Sequence, residues 1–368
     1  LQWAIFYVIL NIVMAKKTAS RAPSGILRDP IFIQHRTDDY HPESPERLVQ
    51  LYKMLDSWPE AKDLELAPSR KATEEELKRI HTKRHIEMVA ATADMDSYHL
   101  DGDTPTSPKS YEAALFAAGG SIELTDRVLD GGLANGFGLV RPPGHHAEAE
   151  RAMGFCLFNN VAIAAAHARD KRNLSRILIV DWDIHHGNGT QHSFYNDNRV
   201  MYFSAHQYPY YPGTGHYQEV GEGAGEGYTI NVPLPPGQGD AEYYAIFEKI
   251  LKPIALEYKP QIIFVSAGFD AYEHDPLGHM RITVPGYTLL ASSLGAIADE
   301  VCGGKIVYLL EGGYNISGLV ESIQGILRFL MGKTDPDSIK IEERETVQMR
   351  EYLNELSRLF GNYWKSLK

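Results

Sequence analysis

Short, β-branched runs bounded by Gly or Pro alternate with helix-length segments along this 368-residue chain, and that alternation constrains the fold more than any other feature. The runs lie at 136–140, 177–180, 200–203, 228–232, 262–265 and 306–310. They are almost continuously apolar, as strands are when helices cover both faces of a parallel sheet. The segments 111–129, 160–169, 241–257, 284–301 and 316–331 have helical length. A further helix is expected over 44–58, where Ser44-Pro45-Glu46 supplies a cap followed by Pro in the first turn. The order predicts a doubly wound α/β domain. No fixed-period repeat or linker interrupts it, so 26–331 reads as one domain and 332–368 as a C-terminal appendage, helical over 342–359.

The remaining segment, 1–25, reads as a leader. Its first fourteen residues, LQWAIFYVILNIVM, are uncharged and apolar but fall short of the ~20 residues a spanning helix needs. Lys16-Lys17 follows this run instead of preceding it, unlike a secretory signal, and Met14-Ala15-Lys16-Lys17 resembles a translation start. With 36 Lys and Arg against 48 Asp and Glu, the formal net charge of -12 argues against direct nucleic-acid binding and favours cationic substrates. Two cysteines, Cys156 and Cys302, exclude a disulfide framework and a Cys-based zinc site. These features point to a cytoplasmic protein without a membrane partner.

In wound α/β sheets the chemistry gathers beyond the carboxyl ends of the strands. Four of the expected strands end in polar clusters: Arg141-Pro-Pro-Gly-His145-His146, Asp181-Trp-Asp183-Ile-His185-His186, Ser266-Ala-Gly-Phe-Asp270 and Glu311-Gly-Gly-Tyr314. The fold predicts that they converge. Residues two apart project to one side of an extended chain, so Asp183 and His185 can share a ligand. With Asp270 they make a three-ligand site with open positions, the mark of a catalytic metal. Zinc suits this donor mix, and iron(II) or manganese suits it too. The bland alternative is that these residues only cap helices.

Pro-Pro-Gly frees the backbone to aim both His145 and His146 inward, as a general base and a second proton-holding group. Asp181 and Asn188 are the candidate partners for their far nitrogens. Tyr314, after two glycines, offers a neutral donor to an oxyanion. Phe155 and the run Tyr208, Tyr210, Tyr211 can wall a narrow pocket, although each aromatic could equally be a packing residue. His35, His41, His81, His85, His99, His167, His192, His216, His274 and His279 read as ordinary core or surface residues. His81 and His85 have the helical spacing of metal ligands but lack a third.

The strings HPESPERL (41–48), RPPGHH (141–146), GFCLFNN (154–160), VDWDIHHGNGTQ (180–191), PGTG (212–215), NVPLP (231–235), SAGFDAYEHDPLG (266–278) and LEGGY (310–314) resemble, in order, the zinc-dependent histone deacetylase family. The match is to its class II branch and the bacterial deacetylase-like amidohydrolases. It implies an arginase-like fold with a central eight-stranded parallel sheet, and one zinc per chain on Asp183, His185 and Asp270. It further implies His146 as general base, His145 backed by Asp181 as electrostatic stabiliser, and Tyr314 as oxyanion donor. Phe155 and Tyr211, with Gly154, would flank the acyl-lysine tunnel, and Asp103 would grip substrate backbone at the rim.

Two monovalent-cation sites, for potassium or sodium, are implied as well. Asp181, Asp183, His185, Ser204 and Ala205 would form the first; Phe194, Asp197, Val200 and Tyr228 would form the second. Asn188 stands where class I members carry Asp, which fits class II and leaves His146 a neutral partner that lowers its pKa. Leu277 stands where a polyamine-directed relative has an acidic gatekeeper. The expected activity is therefore hydrolysis of acetyl or another short acyl group from lysine side chains of proteins or peptides. Deacetylation of an acetylated polyamine is the alternative, and a non-catalytic acyl-lysine binder is a more remote one. An arginase-type ureohydrolase shares the fold but needs two manganese ions and a richer ligand set.

Overall fold

Among the described residues of this computed structural model, 22–341 and 346–368, eight strands form a single parallel sheet and two more form a small ribbon. Most of the leader, and the first residues of the expected C-terminal helix at 342–345, lie outside the described residues. The sheet comprises β1 (Ser24–Leu27), β2 (Leu64–Leu66), β5 (Asn135–Gly138), β6 (Ile177–Asp181), β7 (Val200–Gln207), β8 (Thr229–Leu234), β9 (Ile262–Ala267) and β10 (Ile306–Leu310). The ribbon pairs β3 (Tyr98–His99) with β4 (Pro105–Thr106). The order across the sheet is β2-β1-β5-β10-β9-β6-β7-β8.

Every residue of β6, β9 and β10 is buried, as their unbroken apolar sequences require. Helices flank the sheet: Ser110–Leu129 packs with Asn160–Lys171, and Val284–Cys302 with Ile316–Leu330. All four strands that end in polar clusters, β5, β10, β9 and β6, are adjacent at the sheet's centre. Register aligns their ends: Asp181 pairs with Ser266, Leu310 with Ala267 and Leu309 with Gly138. The convergence follows from this neighbourhood.

Three local features differ from expectation. β1 and β2 have four and three residues, too few to show a period, and β2 is a half-exposed edge without the apolar signature. β8 continues through Pro233 to Leu234, which a strand tolerates at a sheet edge, where one side of its backbone needs no partner. The helix expected over 241–257 contains a wider π turn at Phe247–Leu251, just before Pro253. Pro253 has no N–H for the regular ladder, and the wider turn accommodates the loss.

The C-terminal helix Val347–Phe360 buries Met349, Leu353, Leu356 and Phe360 in the same hydrophobic core as the sheet. Beyond it the Trp364 indole N–H donates to the Gly227 carbonyl at 2.9 Å, and the ring meets Tyr228 and Tyr258 edge-on. At 7% exposure Trp364 is a core residue. Trp364→Ala should therefore destabilise the whole domain by about 3 kcal/mol or more. A shift of the urea unfolding midpoint, without change of slope, measures it; an unchanged midpoint would mean the C-terminal segment is not part of the folding unit.

Candidate active site

A cavity of about 180 Å³ opens above the central strand ends, lined by Asp103, Gly154, Phe155, Tyr210, Tyr211 and Leu277 toward the rim and by His145, His146, His185 and Tyr314 within. The imidazole rings of His145 and His146 lie 4.0 Å apart, and both line the cavity. His145 Nδ1 is 3.0 Å from Asp181 Oδ2, and His146 Nδ1 is 2.7 Å from Asn188 Oδ1. Asp181 is held in turn by the Tyr202 hydroxyl at 3.1 Å.

At the cavity floor, Asp183, His185 and Asp270 each offer one donor atom, all within 4.8 Å of one another. His185 Nδ1 sits 3.1 Å from Asp183 Oδ1 and 3.1 Å from Asp270 Oδ2. Burial and the Asp183 charge push the Asp270 carboxyl up, whereas His145 and His185 hold Asp183 down despite burial. Burial disfavours charge on His185, but the two carboxylates outweigh it and raise the imidazole to about 9. Two buried carboxylates that compete for one proton form a cradle for a cation, and the mixed imidazole–carboxylate set fits a divalent metal.

The neighbouring groups follow the same electrostatics. Burial works against a charge on His145, yet Asp181 and then Asp183 raise it to about 10. His146 is pushed well below the usual histidine value, by burial first and then by the adjacent His145 and His185. One imidazole is thus set to carry a proton and the other to lack one.

The walls depend on glycines at two places. Gly154 adopts φ +55°, and a Cβ there would collide with the His146 ring; Phe155 follows at φ +70°, which turns its ring toward Tyr314 at 5.9 Å. Gly312 passes so close beneath Asp270 that a Cβ would strike the carboxylate, and its N–H donates to Asp183 Oδ2 at 2.9 Å. Tyr210 stacks on His185 at 5.4 Å and donates its hydroxyl to the Leu277 carbonyl at 2.9 Å. Tyr211 meets His146 edge-on at 5.1 Å and is 38% exposed, as a residue at the mouth would be. Tyr208 turns away, against His216. Asp103 lies at the rim, with its carbonyl 3.3 Å from His41 Nε2.

The residues named for monovalent cations are also neighbours. Ser204 pairs with Asp181 across β6 and β7, while the Phe194 and Asp197 carbonyls accept from Asp197 and Val200 in one turn. Tyr228 O, just before β8, accepts from Tyr202 N of β7 at 2.9 Å. The Asp197 carboxylate is engaged by Arg169 and Arg199, so backbone oxygens are what this turn could offer an ion.

Several supporting residues escape a reading of the sequence. Glu43 and Arg47, four apart in HPESPERL, form a fully buried ion pair at 3.1 Å; Glu43 also binds Arg141. Arg47 donates to the Gly313 and Glu311 carbonyls at 2.7 and 2.6 Å, and its guanidinium lies over the Tyr314 ring. The Glu311 carboxylate accepts from the Gly144 and His145 N–H groups, and burial followed by acidic neighbours raises it to about 7 against the pull of His145. Asp275 accepts from the Tyr314 N–H at 2.6 Å and the Leu277 N–H at 3.0 Å. His186 and His206 sit behind the floor, bonded to Thr214 and to Ser204. Only the charged pair at helical spacing was a usable signal. Of the H-x-x-x-H pair, His81 binds main chain through both ring nitrogens, at Glu148 O and Asn159 N, which accounts for it as a core residue.

The donor triad makes a direct prediction. Asp270→Asn should weaken zinc affinity by more than about 100-fold, beyond the 10–100-fold typical of losing a supporting hydrogen bond. Competition with a chromophoric chelator measures this, and undiminished affinity would remove Asp270 from the ligand set.

Residues 41–330 match the histone deacetylase domain family. The chain is 39% identical to histone deacetylase 5 of Arabidopsis thaliana over 93% of its own length and 54% of that protein's. It is 39% identical to histone deacetylase HDA1 of Candida albicans over 90% of its length and 42% of the relative's. It therefore spans about half the length of these plant and yeast relatives. A probable deacetylase of Archaeoglobus fulgidus matches at 36% identity, with 94% of this chain and 99% of the archaeal protein covered. The crystal structure of the HDA15 HD domain superposes with a TM-score of 0.88 at 36% identity, over 94% of this chain and 98% of that one. A shared fold, a family match across most of the chain and sustained identity at this level lead to one conclusion: the chain belongs to the histone deacetylase family.

Proposed function

We propose that this protein is a metal-dependent amidohydrolase that removes acetyl or another short acyl group from the lysine side chains of proteins or peptides. The observation that carries this is the Asp183–His185–Asp270 donor set at the floor of a narrow aromatic cavity that also exposes His146 and Tyr314. Zinc is the metal we favour, one per chain, with iron(II) as the other candidate. A divalent ion in this set would supply Lewis acidity to the acyl carbonyl and to the attacking water.

The chain's own residues carry the remaining chemistry. Phe155 and Tyr211 flank the acyl-lysine stem, Gly154 leaves room beside it, and Asp103 grips substrate backbone at the rim. His146 Nε2 accepts a proton as the water oxygen bonds to the acyl carbon. The Tyr314 hydroxyl donates to the oxyanion that develops on the former carbonyl oxygen. His145, kept protonated by Asp181, offsets the accumulating negative charge. His146 then returns its proton to the lysine Nζ as the C–N bond breaks, leaving a carboxylate and a free amine. Asn188 orients His146 throughout. Potassium or sodium at the two backbone-rich sites, with Asp181, Asp183, His185, Ser204 and Ala205 in the first and Phe194, Asp197, Val200 and Tyr228 in the second, would brace the loops beneath.

No described helix is long and apolar enough to cross a membrane. We favour a cytoplasmic setting, substrates bearing acylated lysine, and no direct contact with nucleic acid. Leu277 gives the rim an apolar edge beside the cavity, which favours acyl-lysine over a cationic acetylpolyamine.

Initial rates of acetate release by the zinc-loaded protein, on an acetyl-lysine peptide and an N-acetylated polyamine at equal concentration, test the proposal. A large preference for the peptide is expected; preference for the polyamine would overturn the substrate class, and activity on neither would exclude acetyl as the group removed. Tyr314→Phe should lower kcat on the peptide by about 100- to 1,000-fold, the range for loss of one oxyanion donor. A variant within a few-fold of the parent would exclude that role.

A further inference from the structure

Asn188 has an amide whose two ends meet chemically opposite surroundings. Its Oδ1 faces one group able to donate, the Nδ1 of His146, at 2.7 Å. Its Nδ2 faces acceptors alone: Glu148 Oε1 at 2.5 Å, the His146 carbonyl at 3.4 Å and Met153 Sδ at 3.6 Å. An ionised carboxylate can only accept. Turning the amide over would set the Asn188 oxygen against the Glu148 oxygen, and burial of Asn188 leaves little water to relieve that repulsion.

Glu148 is itself fastened from three sides. Its second bond through Oε1 is to His192 Nδ1 at 2.8 Å. Its N–H donates to the Arg151 carbonyl, and its own carbonyl accepts from His81 Nδ1, both at 2.9 Å. His81 can donate there because its Nε2 is occupied as an acceptor of the Asn159 N–H at 2.9 Å. The Glu148 carboxylate is thus held against Asn188 by contacts that involve none of the groups facing substrate.

The geometry points to Glu148 as a positioning residue that sets the tautomer of His146 through the Asn188 amide. With the amide locked, Asn188 Oδ1 must accept from His146 Nδ1–H. A neutral imidazole that carries its proton on Nδ1 has a bare lone pair on Nε2, the form a general base needs. The reverse amide would donate to Nδ1, move the proton to Nε2 and leave the cavity side without a base. This inference rests on the proposed role of His146 as base, but the tautomer itself can be read without any substrate.

The test compares Glu148→Gln, Glu148→Ala and Glu148→Lys with the parent. Histidine-selective 15N NMR, with the His146 signals assigned from a His146→Gln spectrum, reports which ring nitrogen bears the proton. The parent and Glu148→Gln, whose side-chain oxygen can still accept from Asn188, should show protonated Nδ1 and unprotonated Nε2. Glu148→Lys puts a donor where an acceptor was and should invert the tautomer, with Glu148→Ala showing a mixture. On acetyl-lysine peptide, kcat should fall about 10-fold for Glu148→Ala and about 100-fold for Glu148→Lys, within the contribution of a general base, with KM changed by no more than about twofold. Glu148→Gln should stay within about threefold of the parent. If Glu148→Lys fails to fold, the Ala and Gln variants decide. An unchanged His146 tautomer in Glu148→Ala and Glu148→Lys would overturn the inference. A tautomer that follows Glu148 while kcat does not would uphold it and overturn His146 as the base.

Discussion

Burying a carboxylate away from water costs several kcal/mol unless hydrogen bonds or counter-charges replace its hydration. This protein buries five in and around the floor of one cavity: Glu43, Asp181, Asp183, Asp270 and Glu311, none more than 1% exposed. Three of them are compensated by the chain. Glu43 has Arg47 and Arg141, Asp181 has His145 and Tyr202, and Glu311 has two main-chain N–H groups and the Ser266 hydroxyl. Asp183 and Asp270 have N–H donors from Gly312, His185 and Ile184 and share the His185 imidazole; His145 Nε2 also lies 3.9 Å from Asp183, so Asp270 is the one with no counter-charge of its own. The arrangement is informative: the counter-charge these two carboxylates share, His185, is itself a residue that lines the cavity.

The same requirement explains the architecture around the floor. Three of the carboxylates tie together chain segments that leave neighbouring or next-neighbouring strands of the sheet. Glu311, after β10, holds the loop after β5; Asp270, after β9, accepts from Ile184 beyond β6; Asp183, beyond β6, accepts from Gly312 beyond β10. Had the four strands not been neighbours, these bonds would have spanned the sheet. Close passage of main chain over buried side chains also accounts for glycine at 154 and 312, where any side chain would displace the groups being positioned.

How much of this was legible follows from how each feature is encoded. Strands such as 177–180 and 306–310 declare themselves because burial on both faces demands unbroken apolar sequence, and polar residues immediately after such runs mark the site. The donor set Asp183, His185 and Asp270, and both partners of the paired histidines, could therefore be named in advance. β1 and β2 could not, since four and three residues carry no period. Nor could the Glu43–Arg141 contact, which joins residues 98 positions apart and leaves no local trace. Glu148 follows His146 by two positions yet acts back on it through Asn188, forty residues on, so only the folded chain shows the link. The expectation that Asn188 gives His146 a merely neutral partner was incomplete for the same reason: a carboxylate stands directly behind the amide.

These compensated charges also bear on how substrate and product differ in the proposed reaction. Aromatic and apolar groups, Phe155, Tyr210, Tyr211 and Leu277, line much of the upper cavity. A neutral acyl-amide stem enters such walls with little loss of hydration. An ammonium would lose much of its hydration there, and the buried carboxylates beneath are already paired or directed at the cation cradle. The raised proton affinity of His145 adds a positive charge beside the path. Hydrolysis therefore converts a group the cavity tolerates into one it does not, and the free amine is driven toward the rim, where Asp103 and water receive it. On this argument the acidity of the floor serves the metal and the histidines, and discrimination for the acylated state arises because so little of that acidity is left unpaired for a cationic substrate.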